Sequence, residues 1–210
     1  VALSVMLPSG ERLEGGLENN VLAIAPDGRS LVYAAQGKDA QGLFLRRLDG
    51  PEIVEMPGTS DARNPFFSPD GEWVGFFSGR HLLKASVRGG TPVEVTEVAA
   101  DRGGTWLEDG SLVYSPTFAA PLYRIGANGG ERRQITTLVS PRSERTHRWP
   151  ALLPDGEIAF TVGTADKPGA YEDSRIDAVS LATGKRRTLV VGASMVRYAA
   201  SGDLVLGRDN

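Results

Sequence analysis

The chain has 210 residues, 40% of them apolar, with 26 glycines, 13 prolines, no cysteine and a formal charge of -3. A chain of this length buries roughly 70% of its unfolded surface, enough for a sizeable core, while the lack of cysteine excludes disulfides, thiolate zinc sites and cysteine nucleophiles. The balance of 23 basic against 26 acidic residues excludes a nucleic-acid module built on a broad basic face, and no apolar run approaches a membrane span, so we expect a soluble segment that inserts in no membrane.

Taken in chain order, the predicted elements repeat. Residues 17–60 hold the run Leu22 to Pro26, the pair Asp27-Gly28, the runs Leu31 to Tyr33 and Leu43 to Leu45, and a second turn at Asp49-Gly50. Residues 61–99 follow the same plan: Phe66 to Pro69, Asp70-Gly71, Val74 to Phe77, Leu82-Leu83, Gly89-Gly90 and Pro92 to Thr96. Residues 100–145 give Thr105 to Glu108, Asp109-Gly110, Leu112 to Tyr114, Leu122 to Ile125, Gly129-Gly130 and Arg133 to Thr136. Residues 146–192 give Ala151 to Pro154, Asp155-Gly156, Ile158 to Phe160, Ile176 to Val179 and Thr183-Gly184, with a long connection from Gly163 to Ser174. A fifth unit starts at 193–210, with Arg197 to Ala200, Ser201-Gly202 and Leu204 to Leu206.

The anchor glycines are 43, 39, 46 and 46 residues apart, close to the period of about 40 to 45 residues of a propeller blade. Aspartate-glycine between β-branched and aromatic runs signals a hairpin, because glycine accepts the positive φ of a tight turn. Four short antiparallel strands per unit predict an all-β fold, a β-propeller with four complete blades and the start of a fifth. Three residues before each turn stand Ile24, Phe67, Trp106, Leu152 and Tyr198, which are expected to pack between neighbouring blades.

The strings Ala25-Pro-Asp-Gly28, Phe67-Ser-Pro-Asp-Gly71 and Leu153-Pro-Asp-Gly156 resemble the WD-like repeats of TolB propellers. Leu45-Arg-Arg-Leu-Asp49, Pro57-Gly-Thr59, Arg102-Gly-Gly-Thr-Trp106, Leu122-Tyr-Arg124 and His147-Arg-Trp-Pro150 are similar to the TolB-type propellers that follow the kinase domain and membrane helix of bacterial serine/threonine kinases. The resemblance implies a non-catalytic sensor or protein-binding module on the extracytoplasmic, periplasmic side, whose partner is a protein, a peptide or a small anionic ligand. It implies no cofactor. The kinase loops themselves do not occur in this sequence, so phosphoryl transfer is not a property of these residues. Propellers of this kind carry six or more blades. Four and a half therefore predict either further blades beyond these residues or two copies associating across the open side, with Val1 to Leu7 as a strand that completes a last blade.

Chemistry-bearing residues are few. His81 and His147 are the only histidines; neither lies in a zinc-binding spacing, and a structural role is expected for both, His147 being the better placed for ligand contact at a channel mouth. Ser68 reads as a turn hydroxyl rather than a nucleophile, since no Gly-x-Ser-x-Gly elbow surrounds it. The aspartate-glycine pairs read as turns, not calcium loops, so no metal is expected. Seven residues before the turn aspartates stand Asn20, Arg63, Arg102 and Arg148. Arginine forks suit carboxylates and phosphates, so Arg63, Arg102 and Arg148 with His147 form the candidate anion or peptide site at the channel mouth. The competing expectation is neutralisation by the sequence neighbours Asp61, Asp101 and Glu144. The connection between Gly163 and Ser174 carries Tyr171-Glu-Asp173, a candidate dock for a basic partner or a solvated loop. The enzyme alternative is a propeller hydrolase or lactonase using channel carboxylates and His147 around a metal; the structural alternative is a TolB-like scaffold.

Overall fold

A computed structural model describes residues 7, 12–13, 20–36, 41–139, 143–164, 174–199 and 202–207. The Val1 to Leu7 strand apart from Leu7, the residues 165–173 of the long connection, Ser201 and the terminal residues 208–210 lie outside them. The described residues are all-β, without a helix that is long and apolar enough to cross a membrane.

The first sheet joins β2 (Leu22–Ile24), β3 (Ser30–Gln36), β4 (Gln41–Arg47) and β5 (Ile53–Glu55), with β1 (Arg12–Leu13) pairing the far end of β3. Three antiparallel meanders follow: β6 (Arg63–Phe67) to β9 (Val93–Glu97), β10 (Gly104–Trp106) to β13 (Gly129–Gln134), and β14 (Glu144–Leu152) to β17 (Arg186–Val191). The hairpin of β18 (Ser194–Tyr198) and β19 (Leu204–Gly207) comes last. Between β6 and β9 lie β7 (Trp73–Ser78) and β8 (His81–Ser86); between β10 and β13, β11 (Ser111–Tyr114) and β12 (Tyr123–Gly126); between β14 and β17, β15 (Glu157–Thr164) and β16 (Arg175–Ser180). The first strands of successive sheets, β2, β6, β10, β14 and β18, touch one another in series, as the inner strands of a propeller do. β14 starts at Glu144, two residues before the unit boundary expected from the repeat, which places Glu144 inside a sheet.

Each first turn is built the same way. The amide of Gly28, Gly71, Gly110 or Gly156 donates to the carbonyl three residues back at 2.9 to 3.0 Å, and the glycine alone holds positive φ, 69 to 81°. The aspartate side chain accepts the amide two residues on: Arg29, Glu72, Ser111 and Glu157 donate to Asp27, Asp70, Asp109 and Asp155 at 2.9 to 3.0 Å. This is a type I turn closed by a left-handed glycine, in which aspartate acts through its oxygen rather than through its own φ. Ser68 takes part in its turn, donating to Asp70 at 2.5 Å and accepting from the amide of Trp73 at 2.9 Å.

Apolar clusters fill the spaces between consecutive sheets. Val32, Leu43, Val74 and Phe76 join the first to the second; Phe66, Phe77, Trp106 and Tyr114 join the second to the third. Leu107, Leu122, Ile158 and Phe160 join the third to the fourth, and Ala151, Ile176 and Val196 join the fourth to the hairpin. Two glycines make the seat of Phe66: a Cβ at Gly75 or Gly104 would stand 2.5 or 2.6 Å from its ring. Of the residues expected between blades, Trp106 is buried, and Phe67 and Leu152 are partly buried, each against the preceding sheet. Ile24 is 59% exposed because its face of the first sheet points away from the second, and Tyr198 is 37% exposed because a two-stranded hairpin covers it from one side.

Candidate functional site

The inner strands share a kink at their starting end. Six residues before the turn positions, Asn64, Gly103, Trp149 and Met195 all have positive φ, 50 to 83°. The ladders of β6, β14 and β18 shift register there, with Pro65 and Pro150 next to the kinks in the first two. A left-handed conformation costs an L-residue about 1–2 kcal/mol. It is held because it turns the strand toward the preceding sheet: the Trp149 amide donates to the carbonyl of Arg102 at 2.7 Å, and the Met195 amide donates to Thr161 Oγ1 at 3.0 Å. Asn64 does the same through its side chain, accepting from the Asn20 amide at 2.7 Å and donating to Asp101 Oδ2 at 2.5 Å.

The arginines one residue before these kinks come to the same end of the molecule but have different fates. Arg63 donates through Nε and Nη2 to Asp101 Oδ1 at 3.3 and 3.2 Å, its side chain 34% exposed and the carboxylate buried. Arg102 donates to the carbonyl of Asp101 at 2.6 Å and lies 4.2 Å over the ring of Phe118, which is 57% exposed. Arg148 is 1% exposed, donating to the carbonyl of Phe118 at 3.1 Å and lying over Trp149 at 5.4 Å. The Asp101 carboxylate thus serves Arg63 of the preceding blade, and Glu144 pairs within its own sheet, with Arg175 and Arg186.

His147 is fully buried, 4.8 Å from the Phe160 ring. The Thr136 hydroxyl accepts the Leu122 amide at 2.8 Å, which leaves its proton for His147 Nδ1 at 2.8 Å; Nε2–H then donates to Glu144 at 3.2 Å. Thr59 takes the same position in the first sheet, accepting the Leu43 amide at 2.9 Å, but gives its proton to the Met56 carbonyl at 2.7 Å. His147 thus replaces a main-chain acceptor in a repeated structural bond. Burial pushes its pKa down to about 4, and the nearby Arg186 charge adds to this.

Glu144 is the centre of a charge cluster that sequence reasoning missed. Its carboxylate accepts from the Val139 amide at 2.9 Å, from Arg186 at 2.5 and 3.0 Å, and from Arg175. Burial alone would raise its pKa, yet the hydrogen bonds from Arg186, Val139 and Arg175 hold it at about 2. Asp177 accepts from Arg175 at 3.0 Å and from Arg186 at 2.5 Å, and Arg186 lies 5.4 Å over Phe160. The Glu144-x-x-His147 spacing was a visible signal; the arginines, 31 and 42 residues away, were not. Among the described residues no group of three or more histidine, aspartate and glutamate side chains is arranged to hold a metal. His81 is a surface residue with Nδ1 3.2 Å from Glu94.

No family model matches the chain, and no curated protein matches it. Solved structures do. A protein described as a TolB from Agrobacterium tumefaciens superposes with a TM-score of 0.73 at 18% identity, over 93% of this chain and 76% of that one. TolB from Acinetobacter baumannii gives 0.69 at 15% identity, over 90% and 49%. An oligogalacturonate lyase from Vibrio parahaemolyticus gives 0.62 at 14%, over 92% and 60%. At these identities the likeness is one of fold, and with the serial four-stranded sheets it makes this chain a TolB-like β-propeller.

Proposed function

We propose that the chain is a non-catalytic recognition propeller that binds a protein or peptide partner, or a small anionic ligand, at the end where its inner strands begin. The observation that supports this most is the state of His147. The one histidine near the channel is fully buried with both ring nitrogens engaged in the wall, and its depressed pKa keeps it neutral there. Arg148 is buried beside it. Arg63, Arg102 and the exposed ring of Phe118 then form the contact surface, with His147 and Arg148 as its support. On this reading the propeller belongs to a larger bacterial signalling protein such as a membrane-anchored serine/threonine kinase, facing the extracytoplasmic side. That part rests on the sequence resemblance, and its check is a kinase catalytic segment in the same reading frame.

Thermal-shift measurement against short peptides, carboxylate and phosphate metabolites, Mn²⁺ and Zn²⁺ tests the reading. Stabilisation by a peptide or an anion, lost in the Arg63→Ala/Arg102→Ala double variant, is the expected result. Stabilisation by a metal accompanied by lactone or glycoside turnover would contradict it and establish the hydrolase or lactonase alternative, for which His147 would have to leave Thr136 or Glu144.

A further inference from the structure

Two open clefts of nearly equal size lie between consecutive sheets, and they differ in how their arginines are used. The cleft between the first and second sheets, about 410 Å³, is lined by Arg47 and Arg88. Both are spent on carboxylates, Arg47 on Asp49 at 2.9 Å and Arg88 on Glu72 at 2.5 Å. The cleft between the second and third sheets, about 420 Å³, is lined by Arg80, Glu97, Pro116, Pro121, Tyr123 and Arg132 among others. Among the described residues neither Arg80 nor Arg132 has a carboxylate partner; Arg132 lies 5.5 Å over the Tyr123 ring. Its lining holds two guanidiniums against the single carboxylate of Glu97.

We propose that this second cleft binds an acidic peptide segment, with a Glu or Asp side chain between Arg80 and Arg132 and the adjoining chain against Tyr123 and the two prolines. The volume falls in the range of ligand sites, roughly 300–1,000 Å³. The site is an open groove, which lets a chain enter and leave, as a peptide requires. Guanidinium forks pair with carboxylates in two parallel hydrogen bonds, and an arginine already laid on an aromatic ring loses less freedom when it does so. Pro116 and Pro121 bring no amide donors into the groove, and the amides of Val98, Ala99 and Ala119 there are already bonded, which leaves the two guanidiniums as its principal donors. The walls are fixed: the Pro116 carbonyl accepts the amides of Ala99 and Ala100 at 3.0 Å, and the Ala120 carbonyl accepts the His147 amide at 2.9 Å. Behind Tyr123 the buried hydroxyl of Tyr114 has no hydrogen-bond partner of normal geometry, with Arg132 and Thr96 nearby. The proposal goes beyond the recognition reading: it adds a second contact at the same end of the inner strands, in a groove that does not use Arg63 or Arg102.

Fluorescence anisotropy with a labelled peptide of alternating Glu and Ala tests it, with the Gln/Ala peptide as control. The Glu peptide is expected to bind, the Gln peptide to bind at least about tenfold more weakly, and Arg80→Gln/Arg132→Gln to lower the affinity by about tenfold or more without changing the unfolding temperature. Added salt weakens the interaction. Unchanged affinity in that double variant overturns the proposal. Loss only in Arg63→Ala/Arg102→Ala overturns it as well, while leaving the recognition reading standing.

Discussion

Burying His147 neutral and Glu144 charged sets the direction of the acid response. The His147 pKa is about 4 in the fold against an ordinary 6.5, so on acidification the unfolded chain takes up this proton first, and stability falls from about pH 6.5 down to about 4. The loss is about 3 kcal/mol at full extent. Glu144 works in the same direction at lower pH. Its folded pKa of about 2 against 4.5 gives stability that is present above about pH 4.5 and lost as the pH falls toward 2. Urea unfolding followed across this range should show a continuous decline, and His147→Gln should remove the part between about 6.5 and 4. No decline between about pH 6.5 and 4 in the unmodified protein would show that the imidazole takes up its proton equally in the folded and unfolded states, contradicting its burial in neutral form. Glu144→Gln removes one of the two carboxylates that Arg175 and Arg186 share, leaving them Asp177, and is expected to cost about 3 kcal/mol in the same assay at neutral pH.

At the scale of the element, the blade hairpins were legible because everything they need is local. Asp70 accepts an amide two residues away and Gly71 supplies the positive φ, so four sequence positions carry the whole turn. Gly71→Ala is expected to destabilise by about 1–2 kcal/mol through backbone strain, and Asp70→Ala by about 1–2 kcal/mol through the loss of its bonds from the Glu72 amide and the Ser68 hydroxyl; chemical denaturation measures both. The kink of the inner strands was less legible. Asn64 and Gly103 are residue types that accept positive φ, but Trp149 and Met195 are not, and only their bonds to the preceding sheet explain them. The seat of Phe66 is harder still to read, since Gly75 and Gly104 come from different sheets. Gly75→Ala should cost about 1–3 kcal/mol by overpacking, a larger effect than at the open Gly50, where a Cβ meets nothing within 4 Å.

For the whole molecule, repetition made the propeller readable while hiding the site. The repeat brings residues one blade apart into contact at separations close to the period, Arg63 with Asp101 at 38 residues and Lys84 with Asn128 at 44, while Glu144 and Arg186, 42 residues apart, come from the first and last strands of one sheet. A search among near neighbours along the chain assigns these charges to the wrong partners. The same arithmetic gathers Arg63, Arg102 and Phe118 at one end of the inner strands, and places Arg80 and Arg132, which have no carboxylate partner among the described residues, in the groove beside them. The Asp-Gly turns lie at the opposite end, where the cleft arginines are already paired. The proposed recognition thus falls to one end of the propeller. Hydrogen–deuterium exchange of the protein with and without the Glu/Ala peptide tests that assignment most directly. Slowed exchange in residues 98–103 and 115–121 is the predicted result; slowed exchange confined to the Asp-Gly turns, or no change anywhere, would contradict it.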